Sequence, residues 1–140
     1  MAGKALVLDA NILIRAVLGQ RVRRILEDHA DHISFFTPEP AYAEAEEHLA
    51  ILVVKCRGDP AKAVRVLRAM AALGTVVSHD LYGDFEAEAR KRLAARDQGD
   101  WPVLAAALAL GCPIWTEDTD FFGCGVPTWT SASIDSFLAH

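Results

Sequence analysis

The sequence predicts an α/β fold, a three-layer α/β/α sandwich around a central parallel sheet, organised as one domain over residues 1–140. Three observations carry that expectation. Short apolar runs of strand length alternate with longer segments of helical periodicity, as βαβ units require. The first run, Ala5-Leu-Val-Leu8, is apolar at successive positions, the mark of a strand buried on both faces. Two runs end abruptly in acids, at Asp9 and at Glu117-Asp118-Thr-Asp120, where open parallel sheets present side chains to ligands.

Taken in order, the first strand leads into helical pieces over Asn11 to Gly19 and Gln20 to His29, separated at Gly19. Ile33-Ser-Phe-Phe-Thr37 reads as a second strand, and Thr37-Pro38 as an N-cap and first-turn proline opening a helix to about Cys56. Asp59-Pro60 starts the next helix, with Val64, Leu67, Met70, Ala71 and Leu73 at helical spacing; the two form a hairpin. Gly74-Thr-Val-Val77 is a brief strand, and a helix runs from about Asp84 to Ala95. Trp101 to Leu110, closed by Gly111, is apolar nearly all round and is expected to be buried. Pro113 to Thr116 is a strand, Val126 to Thr130 an edge strand and Ser133 to Ala139 a closing helix.

With 140 residues, 52% of them hydrophobic, the chain can bury a core without disulfide or zinc support. Cys56, Cys112 and Cys124 are odd in number and widely spaced, which fits a reducing cytoplasmic location and no zinc cluster. No basic segment leads into a long apolar run, and no apolar stretch is long enough to span a bilayer, so neither secretion nor a membrane is expected. A net charge of -5 excludes binding nucleic acid through overall charge alone. All 14 Lys and Arg residues lie at or before Arg96, whereas residues 97–140 carry only acids among the charged types. Those acids must be solvated, protonated or bound to a cation. Arg15, Arg21, Arg23 and Arg24 form either an RNA-tracking group or a solvated helix face, and the five histidines read as surface or packing residues.

Asp9 and Asp118 after strands, Glu44 on a helix and Asp100 at a helix start could converge in such a fold. Three have a plainer reading, Asp9 and Asp100 as helix N-caps and Glu44, beside Glu46 and Glu47, as solvated surface; Asp118 is harder to dismiss, since Glu117, Asp118 and Asp120 crowd together with no basic residue following. Together they make an oxygen-only set suited to a hard cation, Mg²⁺ or Mn²⁺, that keeps waters and shares its coordination with a substrate phosphate. That chemistry is metal-assisted phosphodiester hydrolysis.

Four segments in order resemble the PIN-domain family, including its VapC-type toxins. They are Leu6-Val-Leu-Asp9-Ala-Asn11-Ile-Leu, Thr37-Pro-Glu-Pro with Tyr42-Ala-Glu44-Ala-Glu-Glu-His48-Leu, Asp97-Gln-Gly-Asp100-Trp-Pro-Val-Leu, and Pro113-Ile-Trp-Thr116-Glu-Asp118-Thr-Asp120-Phe. The resemblance implies a Mg²⁺- or Mn²⁺-dependent endoribonuclease with catalytic, metal-binding acids Asp9, Glu44, Asp100 and Asp118. Asn11, Asp97, Thr116 and Asp120 are supporting residues, with Asp97 a candidate to share the role of Asp100. It also implies an RNA substrate, a homodimer and, for a toxin, an antitoxin protein as partner. The alternatives within the resemblance are a stand-alone RNA-processing nuclease and a non-catalytic PIN-fold module that binds RNA or protein. Two other acid-rich α/β classes fail on their residues: a phosphotransfer receiver needs a late Lys, and none follows Lys91; a haloacid-dehalogenase-type phosphatase needs an acid where Asn11 stands.

Overall fold

The central strand is Lys4–Leu8 (β1), whose Leu6 and Val7 are fully buried, as its unbroken apolar run requires. The computed structural model describes residues 3–94 and 96–139 of the protein. Four further strands, Ile33–Pro38 (β2), Thr75–Val77 (β3), Ile114–Trp115 (β4) and Thr128–Trp129 (β5), complete a sheet of order β3-β2-β1-β4-β5. Every pairing in it is parallel. The chain first builds outward from β1 through β2 to β3, then crosses back to lay β4 on the other side of β1 and β5 beyond it. The crossovers on the two sides of β1 and β4 therefore leave in opposite directions, and a crevice opens at the carboxyl ends of these two strands.

Between the first strands lie Ala10–Leu18 (α1), Arg21–His29 (α2), Glu39–Lys55 (α3) and Pro60–Ala71 (α4). After β3 come His79–Tyr82 (α5), Glu86–Leu93 (α6) and Trp101–Leu110 (α7), and Ile134–Leu138 (α8) closes the chain. With this strand order, the right-handed rule for parallel crossovers assigns α1 to α4 to one face of the sheet and α5 to α7 to the other. In that arrangement α1 packs on α2, α3 and α4, while α7 lies against β1, β2 and β4 with α6 beside it. Residues 102–107 of α7 are all buried, and the three alanines Ala105, Ala106 and Ala107 bring its backbone close to the sheet. Gly111 ends the helix at φ 64, where its N–H caps the Ala107 carbonyl. Leu108 to Leu110 emerge as half-buried residues, so the all-round apolar helix is immersed only over its first two turns.

Two boundaries differ from the sequence reading. Thr37 and Pro38 do not open α3: they are the last residues of β2, paired with Val76 and Val77, and the first-turn proline is Pro40. The ladder to β3 holds them extended, and Pro38 as cap residue contributes no side-chain hydrogen bond. The helix expected from Asp84 to Ala95 is instead α5, a 3₁₀ turn over Gly83–Phe85, and α6. Gly83 lies under the His79 ring so closely that an added Cβ would stand 2.3 Å from it, which fixes the break. Ala94 turns the chain at φ 38 and ψ −96, with its carbonyl bonded by Gln98 Nε2 at 2.9 Å; Ala95, and likewise His140, lies outside the described residues. The three cysteines are unpaired. Among the described residues, no helix is long and apolar enough to cross a membrane.

Candidate functional site

Asp9 stands where β1 becomes α1, and cap and site are not alternatives here. Its Oδ1 accepts the Ala10 N–H at 2.8 Å, while its Oδ2 accepts Thr116 Oγ1 at 2.6 Å and Asn11 Nδ2 at 3.2 Å. Pairing of β1 with β4 extends through Asp9 N to the Trp115 carbonyl, and so delivers Thr116 opposite Asp9. Thr116 is wholly buried; besides donating to Asp9, its hydroxyl accepts Asn11 Nδ2 at 3.3 Å and Asp118 N at 2.9 Å. Asn11 Oδ1 accepts Glu117 N at 3.1 Å. Three side chains thus staple the carboxyl ends of β1 and β4 together.

Asp118 caps the 3₁₀ turn Thr119–Phe121, its Oδ1 accepting Asp120 N at 2.9 Å, and Phe121 sinks fully into the core to anchor the turn. Asp97 does the same for the turn Gln98–Asp100, accepting Gly99 N at 2.9 Å. Asp100, the residue before α7, makes no side-chain cap bond. A carboxylate oxygen from each of Asp100, Asp118 and Asp120 lies within 4.8 Å of the others. Asp100 Oδ2 is buried and has no hydrogen-bond partner among the described residues.

The charges register this crowding. Burial, then the charges of Asp9, Asp118 and Asp97, push the Asp100 carboxyl up to about 8. Burial also raises Asp9; the Thr116, Ala10 and Asn11 hydrogen bonds oppose that rise, and the Asp118 charge adds to it. Glu44 is an exposed residue of α3, raised by burial of its carboxyl and then by the Asp9 charge. Of the four acids singled out in the sequence, Asp100 and Asp118 therefore meet, with Asp120 as their third member. Asp9 and Glu44 stand outside that group but within its field.

The acids of the last third find a resolution that the sequence did not suggest. Glu117 pairs with Arg15 at 3.7 Å and accepts Ser131 N at 2.7 Å, and Asp135 pairs with Arg21 at 3.0 Å. Arg23 bonds the Ala16 and Val17 carbonyls at the end of α1. The basic group of α1 and α2 is thus largely engaged in holding the fold. Among the described residues, no ion pair involves Asp9, Asp100, Asp118 or Asp120.

Residues 7–139 match the PIN domain. The chain belongs to the PIN-domain family. This PIN domain is similar in fold to PAE2754 from Pyrobaculum aerophilum, at TM-score 0.73 and 19% identity, over 99% of this chain and 91% of that one. It is also similar to VapBC2 from Rickettsia felis bound to a DNA fragment from their promoter, at TM-score 0.65 and 16% identity, over 90% of this chain and 98% of that one. For FitAcB from Neisseria gonorrhoeae the values are 0.63 and 19%, over 89% and 96%. No curated protein matches the chain.

Proposed function

We propose that this PIN domain is a divalent-cation-dependent endoribonuclease acting on RNA phosphodiester bonds. The observation that carries the reading is the convergence of Asp100, Asp118 and Asp120, which make no ion pair among the described residues, together with a buried Asp100 oxygen that has no hydrogen-bond partner there. A buried orphan acceptor of this kind is costly unless a donor or a cation satisfies it. An oxygen-only set of carboxylates suits Mg²⁺ or Mn²⁺. Asp100, Asp118 and Asp120 would hold the ion, with Asp9 behind them. When bound, it would supply Lewis-acid neutralisation of the phosphoryl oxygens and acidify water for attack.

The chain's own residues do the rest. Asn11 and Thr116 lock the Asp9 carboxylate in one orientation, so its charge faces the crevice without reorganisation. Thr116 also fixes the Asp118 backbone. Asp97 shapes the turn that presents Asp100. Glu44, an exposed residue of α3 made more basic by burial of its carboxyl and by the Asp9 charge, would take the proton of the attacking water. Water oxygen bonds to phosphorus as the bond to the 3′-oxygen breaks and that oxygen takes a proton, leaving a 5′-phosphate and a 3′-hydroxyl.

Likeness of fold to the VapBC2 and FitAcB proteins supports the further reading that the chain is a toxin, cytoplasmic and homodimeric, held inactive by an antitoxin protein. The acids, all present, favour turnover over a module that only binds RNA or protein. The test is cleavage of RNA by the purified protein with Mg²⁺, Mn²⁺ or EDTA and analysis of the ends. Metal-dependent cleavage with 5′-phosphate ends is expected; full activity in chelator, or a 2′,3′-cyclic phosphate, would overturn the reading.

A further inference from the structure

The turn that carries Asp118 and Asp120 is held from outside by two arginines. Within the segment 118–125, the turn's own amides use the Asp118, Thr119 and Phe121 carbonyls, bonded by the N–H groups of Phe121, Phe122 and Cys124. The intervening carbonyls go to guanidinium groups. Arg96 Nη1 donates to the Asp120 carbonyl at 2.6 Å and to the Phe122 carbonyl, and Arg92 Nη1 donates to the Cys124 carbonyl at 3.1 Å. Gly123 and Gly125 adopt φ 84 and 87, which lets the loop reverse under these side chains. A Cβ on Gly125 would come within 2.7 Å of Arg92 Nη1, so a side chain there would displace that guanidinium as well as strain the backbone.

Arg96 directly precedes Asp97 and lies four residues before Asp100. It therefore joins the two segments whose carboxylates must meet. It does so through carbonyl oxygens and not through carboxylates, so that among the described residues the three acid side chains make no ion pair. Resting on the nuclease reading above, we propose that Arg96, seconded by Arg92, is a positioning residue that sets the cation affinity of the site by clamping the Asp118–Phe122 turn to the segment bearing Asp97 and Asp100. The acid-only last third of the chain thus depends on the last basic residue before it.

The test compares wild type with Arg96→Ala and Arg96→Lys. The control is Arg65→Ala, because Arg65 is an exposed residue of α4 with no part in the site. Amide exchange is measured on metal-free protein, Mn²⁺ affinity by calorimetry, and RNA cleavage as kcat and KM. Arg96→Ala is expected to speed exchange over 119–125 and weaken Mn²⁺ about tenfold, the scale seen when a ligand's supporting contact is lost. Saturating Mn²⁺ should restore kcat with KM for RNA unchanged, and Arg96→Lys should recover part of the affinity. Arg65→Ala should match wild type. Wild-type Mn²⁺ affinity or unaltered exchange in Arg96→Ala overturns the clamp. A wild-type protein that binds no Mn²⁺ overturns the nuclease reading, while exchange in the metal-free variants still reports whether Arg96 holds the turn.

Discussion

The strand-end half of the site and its helix-start half hold the same functional group in opposite ways. At the end of β1, Asp9 is only 5% exposed, yet three donors satisfy it, one from its own backbone neighbour and two from Asn11 and Thr116. At the start of α7, Asp100 has a buried oxygen with no donor among the described residues, and its carboxyl is pushed up to about 8. The first acid is part of what joins β1 to β4; the second is a carboxyl whose ionised form the fold leaves unresolved. A site built this way keeps one anion fixed by folding and leaves another to be completed by a ligand.

Loss of activity is the largest effect through which the contrast can be broken. Asp100→Asn and Asp118→Asn are each expected to lower RNA cleavage by at least about a hundredfold in steady-state assays. Asp97→Asn, which still caps its turn because Asn caps about as well as Asp, should only weaken it. A dead Asp97→Asn beside an active Asp100→Asn would exchange their roles.

Metal comes next. An ion that binds only the folded state adds RT ln(1 + [L]/Kd), about 2.7 kcal/mol at a hundredfold excess over Kd. Thermal melts in EDTA and in millimolar Mn²⁺ should show that gain in wild type and lose most of it in Asp118→Asn. An unchanged metal-induced rise in the variant would leave Asp118 as a cap alone.

The satisfied acid and a crowded one should also differ in sign when the metal-free protein is mutated. Asp9→Ala removes an acceptor from three donors and should lower stability by about 2 kcal/mol in denaturant titrations. Asp118→Asn relieves like-charge repulsion and should leave stability equal or higher, on the order of 1 kcal/mol. Equal losses in both would mean that both acids are structural.

The last effect is a pH slope. The Asp100 carboxyl moves from a usual 3.8 to about 8 on folding, so through that window the folded chain holds a proton that the unfolded chain has released. Stability from this group is therefore fully present below about pH 4 and falls as pH rises toward 8. Asp100→Asn should flatten that part of the profile in metal-free melts at a series of pH values; an unchanged slope would assign it elsewhere.

The strand positions and the acids at their ends were legible because burial on both faces demands unbroken apolar runs, and Leu6-Val-Leu8 and Ile114-Trp115 supply them. Asp118 could be read from its place after such a run. The boundary at Thr37-Pro38 was not legible, because the partner strand β3 extends β2 through two residues whose local chemistry favours a helix start. The rise of Asp120 to the Asp100–Asp118 group depends on how one 3₁₀ turn faces another, which no spacing in the sequence encodes. Nor does spacing join Arg15 to Glu117 or Arg96 to the Asp120 carbonyl, contacts made only once α1, α6 and β4 are packed.

The contrast between the two acids can be read most directly from protons released on metal binding. A carboxyl held near 8 is largely protonated at pH 7 and must lose its proton to become a ligand. Calorimetric titration of Mn²⁺ into metal-free protein, at pH 7 in buffers of different ionisation enthalpy, should show about one proton released per ion in wild type. Asp100→Asn should release none and bind more weakly. Mn²⁺ binding to wild type without proton release, or the same release from Asp100→Asn, would contradict the assignment of Asp100 as the acid that waits for a cation.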